Sequence, residues 1–261
     1  MTNWEQAQRL LEADRVWGAY ALADLDPAYR SQTEVWVTEN GLLLRYAGLL
    51  PHVLFALGNP EAVDHLFGSL DAGRYQYTLL DEHRTRLGER LKVEHEVEMA
   101  RMVLANPPAR QTLPRHVHRL NDADAPAVER LISGQLDAPD AFHPGQLENG
   151  AFFGVSIGGE LVSIAGTHVV SDMYSVAAVG NVFTKPEQRG NGFGRMVSAA
   201  VVQELEKRGL KTIVLNVNPG NRTALRLYQE LGFVEHCRYR EGVGRWNPRA
   251  GNQTENPADD K

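Results

Sequence analysis

Val182-Phe183-Thr184-Lys185-Pro186-Glu187-Gln188-Arg189-Gly190-Asn191-Gly192-Phe193-Gly194-Arg195 reads as a strand that enters a glycine-rich turn and leaves it as a helix. Val182 and Phe183 favour extended backbone, and Pro186 ends the pairing because it has no N–H to give. Gly190, Gly192 and Gly194 permit positive φ and close approach. The run from Arg195 to Leu205 carries an apolar face at helical spacing. Successive main-chain N–H groups therefore point outward at a helix N-terminus, where the macrodipole also favours an anion. Arg189 adds a cation, and the whole reads as a seat for a pyrophosphate. Two nucleotide alternatives fit less well. A P-loop ends Gly-Lys-Ser/Thr, whereas this turn ends Gly194-Arg195-Met196. A dinucleotide fingerprint spaces its glycines G-x-G-x-x-G early in a βαβ unit, whereas here they stand G-x-G-x-G deep in the chain.

A second motif lies downstream. Thr212 to Val217 is a β-branched strand, Asn218-Pro219-Gly220 a turn, and Asn221 an N-cap. The helix from Arg222 to Leu231 stops at Gly232, the residue type expected just past a helix end. Asn221, Ala224 and Tyr228 stand at i, i+3 and i+7 and share one face. Small Ala224 leaves room there for something thin to lie between the other two.

These two motifs together resemble the acetyl-CoA-binding core of the GNAT acetyltransferase superfamily: Arg189-x-x-Gly192-x-Gly194, then Asn221-x-x-Ala224-x-x-x-Tyr228-x-x-x-Gly232-Phe233. Val182-Phe183-Thr184 looks most like its glycine N-acyltransferase-related branch. The resemblance covers about residues 115 to 245. It implies that Arg189, Gly190, Asn191, Gly192, Phe193, Gly194 and Arg195 hold the CoA pyrophosphate through main-chain amides. It implies that the strand at Val182, Phe183 and Thr184 pairs with the pantetheine arm and offers an N–H to the thioester carbonyl. Asn221 would bond the pantetheine, and Tyr228 would protonate the departing thiolate. A phenol suits that role because its pKa near 10 lies above that of a thiol near 8.5. Acetyl-CoA is then a cosubstrate, and the acceptor is a small-molecule or peptide amine.

No general base is evident. The stretch Tyr174 to Asn181 carries no acid, although relatives in the glycine N-acyltransferase-like branch often have a glutamate near Ala178. His168, Asp172, His143, Glu148 and, as a polar orienter, Asn216 are the candidates, and His168 leads because it follows the apolar run from Leu161.

Composition narrows the class. The chain has 261 residues and 43% hydrophobic content, enough for one large or two small domains. A net charge of −6 argues against binding nucleic acid through its phosphates. The single cysteine, Cys237, excludes an internal disulfide, fits a reducing cytoplasm, and reads as a small buried hydrophobe. No apolar run of about 18 residues and no signal-type leader is found, so no membrane partner is expected. His and Cys spacing offers no metal site; Arg115-His116-Val117-His118 reads as strand alternation.

The fold class expected is α+β, a GNAT acetyltransferase fold whose mixed, mostly antiparallel sheet splays open, preceded by a smaller α/β N-terminal lobe. The boundaries are an N-terminal domain 1–106, a proline-rich linker 107–114, an acetyltransferase domain 115–245 and a flexible tail 246–261. In the N-terminal part, Glu34–Thr38 and Gly41–Tyr46 read as a hairpin, Val53–Leu57 as a strand, and Asn59-Pro60 as the start of a helix with Val63, Leu66 and Phe67 inside. Arg74–Leu80 and Glu98–Leu104 are further strands. This order is reminiscent of a degenerate second acetyltransferase-like lobe, but it lacks the R-x-x-G-x-G turn. Strands His116–Leu120, Ala151–Ile157, Leu161–Val170, Tyr174–Thr184 and Phe233 to about Tyr239 complete the C-terminal part. The expected activity is acetyl transfer to an amine by direct attack; the alternative is a catalytically weak acyl-CoA-binding or regulatory module. The acceptor, the acyl length and homodimer formation stay open at this stage.

Overall fold

A computed structural model describes residues 2–107, 112–135 and 142–250. Half of the expected linker, part of the loop from 137 to 149 and the end of the tail lie outside the described residues. The chain forms two compact units, one made of 1–14, 27–99 and 238–261, the other of 15–26 and 100–237. Both are discontinuous in sequence, unlike the contiguous stretches 1–106 and 115–245 expected above.

The first unit opens with helix α1 (Asn3–Ala13), started by a capping box in which Thr2 and Glu5 satisfy each other's amides. Strands β1 (Thr33–Val37), β2 (Gly41–Tyr46) and β3 (Val53–Gly58) follow as an antiparallel meander. Helix α3 (Pro60–Phe67) then crosses over to β4 (Gly73–Leu79), which runs parallel to β3. Helix α4 (Asp81–Leu87) leads to β5 (Leu91–Leu104). Leu43, Leu54, Val63, Phe67 and Tyr77 meet in this unit's core.

The second unit takes in helix α2 (Ala19–Asp24) and repeats that order. After β6 (Val117–Arg119), α5 (Ala125–Ile132) and α6 (Gln146–Asn149) come the antiparallel strands β7 (Phe153–Ile157), β8 (Glu160–Ser171) and β9 (Val176–Thr184). Helix α7 (Phe193–Lys207), the parallel strand β10 (Thr212–Val217), helix α8 (Arg222–Glu230) and β11 (Phe233–Trp246) close the chain. The sequence β-β-β-α-β-α-β thus occurs twice, with the parallel pair at the same place each time. β10 pairs antiparallel with residues 100–103 of β5, and β4 with residues 240–246 of β11. Each unit's sheet is therefore completed by a strand that began in the other half of the chain. The fold is α+β with a mixed sheet, as expected.

Two expectations are corrected. β11 does not stop near Tyr239 but runs to Trp246, pairing with β4 through Gly242 and Gly244, although glycine weakens a strand interior. Trp246 is consequently not the start of a tail. It is buried, packs on Phe67 with ring centroids 5.2 Å apart, and donates its indole N–H to the Leu70 carbonyl at 3.2 Å. β5 likewise begins seven residues before the expected Glu98, because Arg74–Glu94 and Arg84–Glu96 ion pairs neutralise a stretch that looks too charged for a strand. Cys237 is only half-buried.

Candidate active site

β9 and β10 are in register from Val176–Thr212 to Val179–Leu215, and there their pairing ends. β9 continues against β8 alone, with Ile164 opposite Phe183 and Ser163 opposite Thr184. β10 continues against β5, with Val217 opposite Ala100. Beyond Val179 the two parallel strands have parted, and strand edges that lose a partner leave polar groups to be satisfied by something else. Val182 packs toward the cluster that holds Val179, Leu215 and Tyr228. Phe183 points to the other face, buried with Phe152, Ile164 and Leu131. The Thr184 hydroxyl is 2.7 Å from that of Ser163.

The turn after β9 has the conformation its glycines allow. Gly190 has φ 82° and Gly192 φ 77°, both in the left-handed region. Met196 is the first residue whose amide returns to the helix, bonding the Gly192 carbonyl at 3.1 Å. Ahead of it, the amides of residues 190–195 find no acceptor among the described residues, a helix N-terminus left open rather than capped. A methyl added at Gly190 would meet nothing within 4 Å, and one at Gly192 or Gly194 only ordinary contacts of 3.4 Å or more. The protein's own packing does not fill this space, so the glycines fit a bound anion better than close helix packing. The corresponding helix start in the first unit is closed: Asn59 Oδ1 accepts from the amides of Glu61 and Ala62 at 2.9 and 3.2 Å, and Pro60 has no N–H.

Arg189 is exposed, donates through Nε to the Thr184 carbonyl at 3.1 Å, and lies over the Phe183 ring. Asn191 folds back to the Gln188 carbonyl at 3.1 Å. Phe193 is half-buried, edge-on to His116. Arg195 faces Glu230 at 3.7 Å, so its charge is already shared.

On α8 the side chain of Asn221 caps the helix, its Oδ1 accepting from the Ala224 amide at 3.0 Å. Its amide NH₂ remains to donate elsewhere. Tyr228 is buried, with Phe233 edge-on at 6.2 Å, yet its hydroxyl has no hydrogen-bond partner among the described residues. Burial alone pushes its pKa up to about 12, because the phenolate would be poorly solvated there. The group is a protonated donor with no acceptor among the described residues. A core tyrosine usually has its hydroxyl satisfied.

The candidates for a base fare differently. Asp172, His143 and Glu148 are exposed, Asp172 in the β8–β9 turn at the far end of β9 from Thr184. Asn216 sits one residue past the last β9–β10 pair with its Oδ1 buried and unbonded. His168 is occupied: its Nε2 lies 3.3 Å from the Asn181 amide and its Nδ1 3.0 Å from the Tyr20 hydroxyl. A ring nitrogen that accepts a main-chain N–H is not available to take a proton from a substrate. Tyr20 and Gln146, which also bonds Asn181, were not identified from sequence. Gly180-Asn181 within an otherwise apolar strand was a usable sign of irregular pairing at this point.

Among the described residues no three His, Cys, Asp or Glu side chains come together as a metal site, and no helix is long and apolar enough to cross a membrane.

Comparison with known proteins agrees with this geometry. The profile of the Acetyltransferase (GNAT) family matches residues 118–233. The [ribosomal protein bS18]-alanine N-acetyltransferase of Escherichia coli (strain K12) is 35% identical over 122 residues, 46% of this chain and 80% of that protein. A putative GNAT-family acetyltransferase from Novosphingobium aromaticivorans shares the fold over 90% of this chain and 100% of its own, with a TM-score of 0.63 at 21% identity. A tandem GNAT protein from the clavulanic acid biosynthesis pathway matches 94% of this chain and 95% of its own, with a TM-score of 0.57 at 13% identity. The two-lobe order found here is thus one that a solved tandem protein also has. On these grounds the chain belongs to the GNAT family, and it is an acyl-CoA-dependent N-acetyltransferase.

Proposed function

We propose that this protein transfers an acetyl group from acetyl-CoA to an α-amine by direct attack. The observation that carries the reading is the parting of β9 and β10 beyond Val179–Leu215, flanked by the open amides before α7 and by the unpartnered Tyr228 hydroxyl. In this reading the amides of residues 190–195 hold the pyrophosphate, with Arg189 and Arg195 beside it. The free edge of β9 at Val182, Phe183 and Thr184 pairs with the pantetheine, and Asn221 donates its side-chain N–H to it. The thioester supplies the acyl group. Tyr228 keeps its proton through the physiological range and gives it to the sulfur as charge develops there.

The acceptor class follows from what β9 and β10 lack. Neither Val176–Thr184 nor Thr212–Val217 contains an Asp or Glu, so no carboxylate on these two strands takes the amine's proton, and an acceptor that arrives already deprotonated suits the site best. Near neutral pH the deprotonated fraction of an α-amine (pKa about 7.8) exceeds that of a lysine side chain (about 10.4) by roughly a few hundredfold. The E. coli relative is named for an alanine N-acetyltransferase activity, which is transfer to an α-amine.

Calorimetric titration with acetyl-CoA and CoA, followed by assay on a peptide with a free N-terminal alanine and on its Nα-blocked, lysine-containing counterpart, tests this. Micromolar binding with transfer to the free α-amine alone is expected. Binding without transfer to either would favour the acyl-CoA-binding module, and transfer to lysine alone would overturn the acceptor class.

The pH profile is a separate check. The acid role needs the protonated phenol, which a raised pKa preserves upward in pH and which is lost only as pH rises through about 12. kcat/KM should climb with the amine's own deprotonation and then stay level to about pH 10. A descending limb between pH 8 and 10, in a sample still folded, would count against Tyr228 as the acid.

A further inference from the structure

β8 and β9 are irregular at two facing points. Between Thr167–Val179 and Val169–Ala178 the pairing has one extra residue in β8, His168; between Gly166–Gly180 and Ile164–Phe183 it has one extra in β9. Such bulges bend a strand and re-aim its groups. In β9 the bulge contains Asn181, which is buried and has φ 51°, a left-handed conformation uncommon inside a strand and one that asparagine enters more readily than most non-glycine residues. A conformation of this kind persists only where its surroundings hold it.

The surroundings do so on several sides. His168 Nε2 accepts from the Asn181 amide at 3.3 Å. The Tyr20 hydroxyl, on α2, lies 3.0 Å from His168 Nδ1, where the proton of the neutral ring resides when Nε2 accepts. Asn181 Nδ2 donates to Gln146 Oε1 at 3.1 Å and to the Thr167 carbonyl at 3.4 Å, and Gln146 Nε2 donates to the His168 carbonyl at 3.3 Å. The ring of His168 lies flat on the strand: a methyl at Gly180 would come within 2.2 Å of its Nε2. All of this converges on the residue just before Val182, at the level where β9 has lost β10.

We propose that His168 is a positioning residue for acyl transfer: with Tyr20 and Gln146 it clamps the Asn181 bulge, so that the next main-chain N–H groups of β9 face the thioester carbonyl. The inference rests on the acetyltransferase reading above. It assigns His168 a task other than that of a base, and it explains why a left-handed asparagine stands inside a strand. Misdirecting such an amide removes electrostatic stabilisation of the developing oxyanion without removing the acyl-CoA seat. The pyrophosphate part of the seat, at residues 190–195, and Asn221 involve none of the clamp residues, and the β9 edge from Val182 to Thr184 keeps its pairing with β8 at Phe183 and Thr184.

The test uses the full chain with [1-¹³C]acetyl-CoA. In the wild type the bound carbonyl resonance should lie downfield of the free thioester. His168→Leu removes the acceptor for the Asn181 amide and should return the resonance toward the free position. Its acetyl-CoA Kd should stay at the wild-type value, and kcat on the alanyl peptide should fall by about 100-fold. His168→Gln places an amide oxygen where Nε2 was and should restore most of both signals. Tyr20→Phe, a variant that removes a single hydroxyl, should shift the resonance in the same direction by less, and it serves if His168→Leu does not fold. A folded His168→Leu with wild-type resonance and rate would overturn the inference alone. So would loss of acetyl-CoA affinity that His168→Gln does not recover, since that is a structural role. A wild type that gives no bound signal at all would overturn the acetyltransferase reading, and the inference with it.

Discussion

Gly192→Val is expected to abolish measurable acetyl-CoA binding while leaving a folded protein. Gly192 caps α7 from the left-handed region, with φ 77° and only the Met196 methyl within 4 Å of an added Cβ. A valine there meets two penalties. The first is conformational, about 1–2 kcal/mol for an L-residue held at positive φ, which a domain stable by roughly 5–15 kcal/mol survives. The second is steric and falls on the ligand, because the side chain projects into the space that the open amides of residues 190–195 face. Gly209 supplies the control. It lies just past the other end of α7, has φ 79° and also has open space around it. Gly209→Val should lower the melting temperature by a similar amount and bind acetyl-CoA normally. Calorimetry on the two variants separates strain from occlusion: equal binding by both would mean that the turn does not hold the pyrophosphate.

Tyr228→Phe is the second large effect, and it should fall on turnover alone. The substitution deletes one hydroxyl that has no hydrogen-bond partner among the described residues and leaves the ring packed edge-on to Phe233. Removing a buried hydroxyl that bonds nothing costs no internal hydrogen bond, so the melting temperature should hold or rise slightly. Loss of a positioned acid lowers rates by about 10²–10⁴-fold, and kcat on the alanyl peptide should drop within that range. Acetyl-CoA affinity should not change, because the phenol is assigned to the leaving thiolate and not to the bound thioester. Unchanged turnover would leave Tyr228 as a core residue, and the open hydroxyl would then need another explanation.

Both predictions come from parts of the site that are legible in one dimension. The glycine turn, the Asn221 cap and the Asn221–Ala224–Tyr228 face each depend on chemistry within a dozen consecutive residues: φ preferences, an orphaned helix terminus, a helical repeat. The β1–β2 hairpin and the Asn59-Pro60 start of α3 were legible for the same reason. Where local signals ran against tertiary pairing, the reading stopped short. The last strand looked as if it ended near Tyr239 and continues through Gly242 and Gly244; Trp246 looked like the start of a tail and is in a core. Helices α1, α2 and α4 went unread, since α1 buries only Ala7 and Leu11, α4 is mostly charged, and α2 spans only six residues.

What the sequence by itself determined is the family: a contiguous turn and a contiguous helix face carry enough local chemistry to specify it, and the proposed acyl-CoA seat is built on the same two stretches. What only the tertiary structure decided is how β9 is held at its bulge, where the proposed reaction would take place. Tyr20 and His168 are 148 residues apart in the chain, and Gln146 and Asn181 are 35 apart, yet they close one hydrogen-bond network around a left-handed asparagine. No periodicity or spacing encodes such a network, because its energy comes from satisfying buried polar groups that meet only once the strands have paired. The same holds for the opening between β9 and β10: each strand reads as continuous in sequence, and only their register shows where the pairing ends.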